Sequence, residues 1–308
     1  MTELLEGYFP QDLARLISLT VKIPPKVFYI VLGRNKRRKI ENTEYGRYDS
    51  YGIMFVLKAD GTLWWRIEDE PFELITSYIR DIKVRSSFTS LKILIVTLNG
   101  NLITIVLSPL KDNYFLSSLG PDNINRTYIF PGSAIRVTDV EGKIYEQKLL
   151  YEKDTAYTLM TEPRVPYEII DTTTTIRHSF YLLSSGKVKH STKTYGKKYT
   201  KIDSNRSASG RLSVGGILYI EMMNTKETLT IPNVKDFVHS LTGMIIVITK
   251  QGEVKTYSLS KGVWHDIQIK DVIFASYELT PAFITKSGKI YIKQHTDITE
   301  VPGINVFT

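Results

Sequence analysis

The chain contains no cysteine in 308 residues. That excludes disulfide frameworks, thiolate metal sites and cysteine nucleophiles. Histidine is scarce as well. His178, His190, His239, His265 and His295 show no metal-ligand spacing, and without thiols a zinc site would have to recruit distant carboxylates. The sequence therefore predicts no metal and no cofactor. Long apolar runs are missing too: "ILIV" and "MIIVI" are strand-length, far short of the roughly 18 residues that span a bilayer. Glu3 and Glu6 stand where a signal peptide needs cations. These absences predict no membrane insertion and an intracellular protein, in cytoplasm or nucleus or packaged in a virion.

What is present favours strands. Hydrophobic residues make up 42%, with 19 Tyr and 12 Phe, and Ile, Thr and Val recur throughout. The net charge of +8 is unevenly placed. "RNKRRK", with Arg34, Lys36, Arg37, Arg38 and Lys39, holds five positive charges, and Lys187 to Arg211 holds a net +7. Without these two segments the remainder is at −4. Concentrated charge of this kind is what an electrostatic steering patch requires.

The chain repeats itself. "ITKQGEVKTY" from Ile248 returns as "ITKSGKIYIK" from Ile284. The same pattern centres on Gly61, Gly100, Gly142, Gly186, Gly216, Gly252 and Gly288, at gaps of 39, 42, 44, 30, 36 and 36 residues. Two residues after each glycine stands an aliphatic residue: Leu63, Leu102, Ile144, Val188, Leu218, Val254 or Ile290. Such a glycine supplies the positive φ of a hairpin turn between two apolar strands. The copy at Gly216 is the least regular, because "SASG" precedes it in place of a strand-like run. A second signal, "RDIKVRSS", "KDFVHS" and "KDVIFAS", precedes several of the glycines. A period of about 40 residues with several strands per copy predicts propeller blades.

The Asp-led strand, the glycine hairpin and the seven copies together resemble the regulator of chromosome condensation family, over roughly Tyr51 to Thr308; "IKDVIFASYELTPAFITKSGKIYI" is the best single copy. The resemblance implies an all-β, seven-bladed β-propeller and recognition of proteins through a propeller face. The family's Trp-Gly-containing run after the hairpin is absent here, so no exchange activity carries over to any residue. The expected layout is an N-terminal extension over 1–45, a short helix around Leu13, Leu16 and Ile17 followed by a strand ended by Gly33, and a propeller over 46–308. The strand expected around Ile304 to Phe307 closes it by pairing in the same blade as Met54 to Leu57.

The function expected is a non-enzymatic scaffold for protein–protein recognition. The alternatives are DNA, RNA or other polyanion binding through the two basic segments, or a structural component of a large DNA virus. In the second segment Lys193, Lys197, Lys198, Lys201 and Arg206 interleave with Tyr195 and Tyr199, so ammonium groups could track a phosphate backbone. The competing reading is a lysine-protected edge strand. Glu68, Asp69, Glu70 and Glu73 read as a solvated loop, and Trp64, Trp65 and Trp264 as packing between blades.

Overall fold

A polar residue and a glycine between two apolar runs should reverse the chain, and in the computed structural model they do. The structure describes residues 23–40, 43–86, 91–108, 114–129, 134–139, 141, 143–148, 158–159, 169–174, 179–190, 193–205, 207–223, 225, 227–240, 243–277, 280–294 and 297–308. Among these the regular elements are all strands, grouped in seven four-stranded sheets, each a meander in chain order. The first sheet is β1 (Lys26–Ile40), β2 (Thr43–Leu57), β3 (Leu63–Ile67) and β4 (Glu73–Thr76). The second is β5 (Ile79–Ser86), β6 (Leu91–Thr97), β7 (Leu102–Ser108) and β8 (Tyr114–Leu119). The third is β9 (Ile124–Ile129), β10 (Ala134–Asp139), β11 (Ile144–Lys148) and β12 (Thr158–Leu159). The fourth is β13 (Ile169–Thr174), β14 (Ser179–Leu183), β15 (Val188–His190) and β16 (Lys193–Tyr195). The fifth is β17 (Tyr199–Ser204), β18 (Ala208–Ser213), β19 (Leu218–Met222) and β20 (Thr228–Ile231). The sixth is β21 (Val234–His239), β22 (Met244–Thr249), β23 (Val254–Ser258) and β24 (Val263–Ile267). The seventh is β25 (Val272–Tyr277), β26 (Pro281–Thr285), β27 (Ile290–Gln294) and β28 (Asp297–Glu300). The chain divides into two compact units, Met1–Gly120 with Glu278–Thr308, and Pro121–Tyr277.

Strand composition follows position in the sheet. The second strands are buried on both faces, so β22 (MIIVIT) and β26 (PAFIT) read as apolar runs with no alternation. The first and third strands alternate: β21 and β23 bury every other residue or nearly so. Apolar cores form where consecutive sheets meet. In the second unit, Leu212, Leu218 and Ile220 of the fifth sheet pack with Phe237, Ile245 and Val247 of the sixth.

The repeat glycines sit between the second and third strands of their sheets. Gly61, Gly100, Gly186, Gly216, Gly252 and Gly288 all have φ between 80° and 87°; Gly142 lies outside the described residues. Four of these turns are tied to the start of the following sheet. The amides of Ile79, Tyr199, Val234 and Val272 donate to the carbonyls of Gly61, Gly186, Gly216 and Gly252 at 2.6–3.0 Å. In return, Leu98, Val214 and Lys250 donate from the next turn to the carbonyls of Tyr78, Lys198 and Asn233. Tyr78, Asn123, Asn233 and Asp271 each precede a first strand and hold φ between 55° and 64°.

Three expectations need correction. Gly33 does not end a strand: β1 runs through it to Ile40 and pairs with β2 along its whole length. The first sheet therefore begins at Lys26, and residue 45 falls inside β2 instead of at a boundary. "SASG" is no gap, because Ala208–Ser213 forms β18, nearly all of it buried. A side chain at Gly210 would collide with Phe237 and His239, so the glycine there lets the sixth sheet lie against the fifth. Finally, 304–307 forms no strand, and β2 pairs with β1 and β3. This segment instead repeats the inter-sheet junction. Val306 donates to the Gly288 carbonyl at 3.1 Å and accepts from the Ala59 amide at 2.9 Å. The helix expected around Leu13 to Ile17 lies outside the described residues.

Candidate recognition site

The second basic segment runs from β15 and β16, the outer strands of the fourth sheet, through β17 into β18 of the fifth. Its cations fall into two groups by exposure and partner. Lys193, Lys197 and Lys198 are exposed. Lys193 lies over the Tyr195 ring at 4.7 Å, and Lys197 lies over Tyr219 at 4.4 Å while donating to its hydroxyl at 2.6 Å. Beneath them the Tyr195 ring also meets Arg211, whose guanidinium is 3.8 Å from its centre. Tyr195 and Arg211 both donate to Glu221 Oε2, at 2.8 and 2.9 Å.

Lys201 belongs to the other group. It turns inward and donates to Asp236 Oδ1 of the sixth sheet at 2.7 Å. Asp203, two residues on, accepts from the His239 amide at 2.6 Å. Lys201 and Arg211 therefore serve packing within the fold and are not available to a ligand as the exposed lysines are. Arg206 lies outside the described residues. Arg34, Lys36, Arg37, Arg38 and Lys39 lie on the far half of β1, in register with Asp49, Arg47, Gly46, Tyr45 and Glu44; their side chains are outside the described set. Tyr219, Glu221 and Asp236 are not distinguished by sequence as site residues, because each meets a residue of the neighbouring repeat: Lys197, Tyr195 and Lys201. Only the Asp in "KDFVHS" carries a signal.

The ionisable groups record these contacts. Burial opposes the Lys201 charge, but Asp236 and Asp203 outweigh it and raise its pKa. Burial likewise opposes the Asp203 charge, yet His239 and Lys201 hold its pKa below the usual range. Glu221 is lowered by its bonds to Tyr195 and Arg211 despite burial. Burial pushes the Tyr195 phenol up to about 12, against the opposing pull of Arg211.

The signs give a stability profile. Depressed Asp203 and Glu221 contribute stability above their unfolded values near 4, and it is lost as pH falls through the folded ones. Raised Tyr195 and Lys201 contribute stability that declines as pH rises beyond about 10. Thermal melts should therefore show a plateau between about pH 5 and 10, falling on both sides. Tyr195→Phe should make the alkaline fall shallower and leave the acid limb as it was. An unchanged alkaline limb would refute the assignment.

Elsewhere, Glu68, Asp69, Glu70 and Glu73 are exposed. Among the described residues no three His, Asp or Glu side chains gather as a metal site. No described helix is long and apolar enough to cross a membrane. Trp65 stacks on Phe55 within the first sheet, and Trp64 donates to Thr62. Trp264 is on the outer strand β24, 37% exposed and tilted against Tyr257 of the same sheet.

No family description matches this sequence, and no curated protein is similar to it. Solved structures are similar in fold. Human WBSCR16 aligns with a TM-score of 0.52 at 9% identity, over 84% of this chain and 100% of its own. PorZ, an essential bacterial surface component of the type-IX secretion system of Porphyromonas gingivalis, aligns with a TM-score of 0.50 at 14% identity. That alignment covers 88% of this chain and 39% of PorZ. The fold is a β-propeller. At these identities the likeness extends to the fold alone.

Proposed function

We propose that this propeller is a non-enzymatic binding scaffold that recognises a protein partner, and that its seven sheets are its blades. The observation that carries this reading is how the partly buried charges are used. Lys26 pairs with Asp81 at 2.5 Å and Lys201 with Asp236 at 2.7 Å, each joining one sheet to the next. Arg211 and Tyr195 close on Glu221. These groups hold sheets together and do not converge on a reacting centre. The resemblance to the regulator of chromosome condensation family points the same way.

A second reading, polyanion binding, rests on Lys193, Lys197 and Lys198, which are exposed; the first and second of them lie over tyrosine rings. One experiment separates the two. The full chain is used for affinity capture from cells, with and without nuclease, across a salt series. Protein recognition predicts partners that survive nuclease and leave only gradually as salt rises. Polyanion binding predicts nuclease-sensitive capture and a steep salt slope. In the Lys193→Glu, Lys197→Glu, Lys198→Glu variant that slope should fall by about one unit for each phosphate no longer neutralised. The second pattern would displace the first reading.

A further inference from the structure

The inter-sheet junctions of the second unit align charges that the linear sequence keeps apart. Starting at Gly186, the backbone bonds pass to Tyr199 and Lys198, then to Val214 and Gly216, then to Val234 and Asn233, then to Lys250 and Gly252, and finally to Val272. These links form one continuous belt of turns along a single end of consecutive sheets. Five exposed lysines stand on or beside it: Lys187, Lys198, Lys235, Lys250 and Lys270. The exposed carboxylates on the same belt are Glu253 and Asp271, so it carries a net +3. Lys250 lies across the preceding turn and donates to the Gly215 carbonyl at 3.0 Å, which fixes its ammonium without neutralising it. Val214, 65% exposed, stands near the middle.

We propose that this belt is the docking surface for an acidic segment of a partner protein. The proposal rests on the protein-recognition reading above and names its surface. The chemistry favours protein over nucleic acid. All five cations are lysines, point charges without the planar fork with which arginine reads base edges. The ring of Tyr199, a junction residue of the belt, is buried, so it offers no platform on which unstacked bases could lie. The exposed Val214 instead gives a side chain of an acidic peptide an apolar contact amid the lysines. The belt's junction amides are already bonded to one another's carbonyls, so recognition runs through side chains.

The test uses the full chain and two triple variants that lower the +8 net charge by the same six units. One is Lys235→Glu, Lys250→Glu, Lys270→Glu on the belt. The other is Lys189→Glu on β15, Lys255→Glu on β23 and Lys261→Glu in the turn before β24, exposed positions outside the junction turns themselves. Fluorescence anisotropy at low salt measures binding of a labelled polyglutamate peptide and of a labelled single-stranded oligonucleotide. The proposal predicts that polyglutamate binds the parent, that the belt triple loses about tenfold or more, and that the control triple changes by about twofold or less. Should the belt triple misfold, Lys235→Gln, Lys250→Gln, Lys270→Gln carries the same comparison with a smaller loss. Equal losses in both triples, or no polyglutamate binding by the parent, would overturn the belt. Protein recognition would still stand if nuclease-resistant partners were captured. Oligonucleotide binding tighter than polyglutamate and lost on the belt triple would overturn the partner class.

Discussion

Replacing Gly252 with valine is expected to lower stability by about 3 kcal/mol or more, through two separable effects. The backbone at Gly252 has φ +83°, a conformation costly for a β-branched residue. A Cβ there would also lie 2.9 Å from Asp271 Cα and 3.2 Å from the Val272 nitrogen. Those are backbone atoms, so no rotamer change relieves the clash. Gly243 is the control. Its φ is +81°, but nothing lies within 4 Å of its added Cβ. Gly243→Val should show the conformational cost alone, roughly 1–2 kcal/mol. Denaturant melts of both variants give the difference. Equal losses would mean that the close approach of turn and junction contributes nothing.

Val306→Asp should cost as much, about 3–5 kcal/mol, because a carboxylate would replace a fully buried apolar side chain (0% exposed). Val306→Ala, which leaves the two backbone bonds to Gly288 and Ala59 in place, should cost about 1–2 kcal/mol. Chemical denaturation with both variants distinguishes them. If aspartate is tolerated as well as alanine, residue 306 does not occupy the junction.

Much of this fold is legible in the sequence, for physical reasons that also mark where legibility stops. The hairpin glycines are visible because a positive φ beside close-packed backbone leaves glycine little competition. The first strands are visible through their basic-Asp starts, as at Lys235–Asp236. The length of β1 is hidden because Gly33 looks like punctuation, whereas a glycine within a paired strand does not stop the ladder. β18 is hidden because its Ala, Ser and Gly side chains are small to accommodate Phe237 and His239, a requirement imposed from another sheet. Lys201 looks like one more member of a basic run. Only an aspartate 35 residues away turns it inward. The lysines of the belt come from separate repeats, so no window of sequence displays them together.

One junction recurs where Gly61 meets Ile79, Gly186 meets Tyr199, Gly216 meets Val234 and Gly252 meets Val272, and again where Gly288 meets Val306. Amide hydrogen exchange at these five donors tests it most directly. Val306 is expected to exchange as slowly as Ile79, Tyr199, Val234 and Val272, and far more slowly than Gly303. Exchange at Val306 as fast as at Gly303, with the other four protected, would contradict the claim that the segment around Val306 supplies one more copy of the junction.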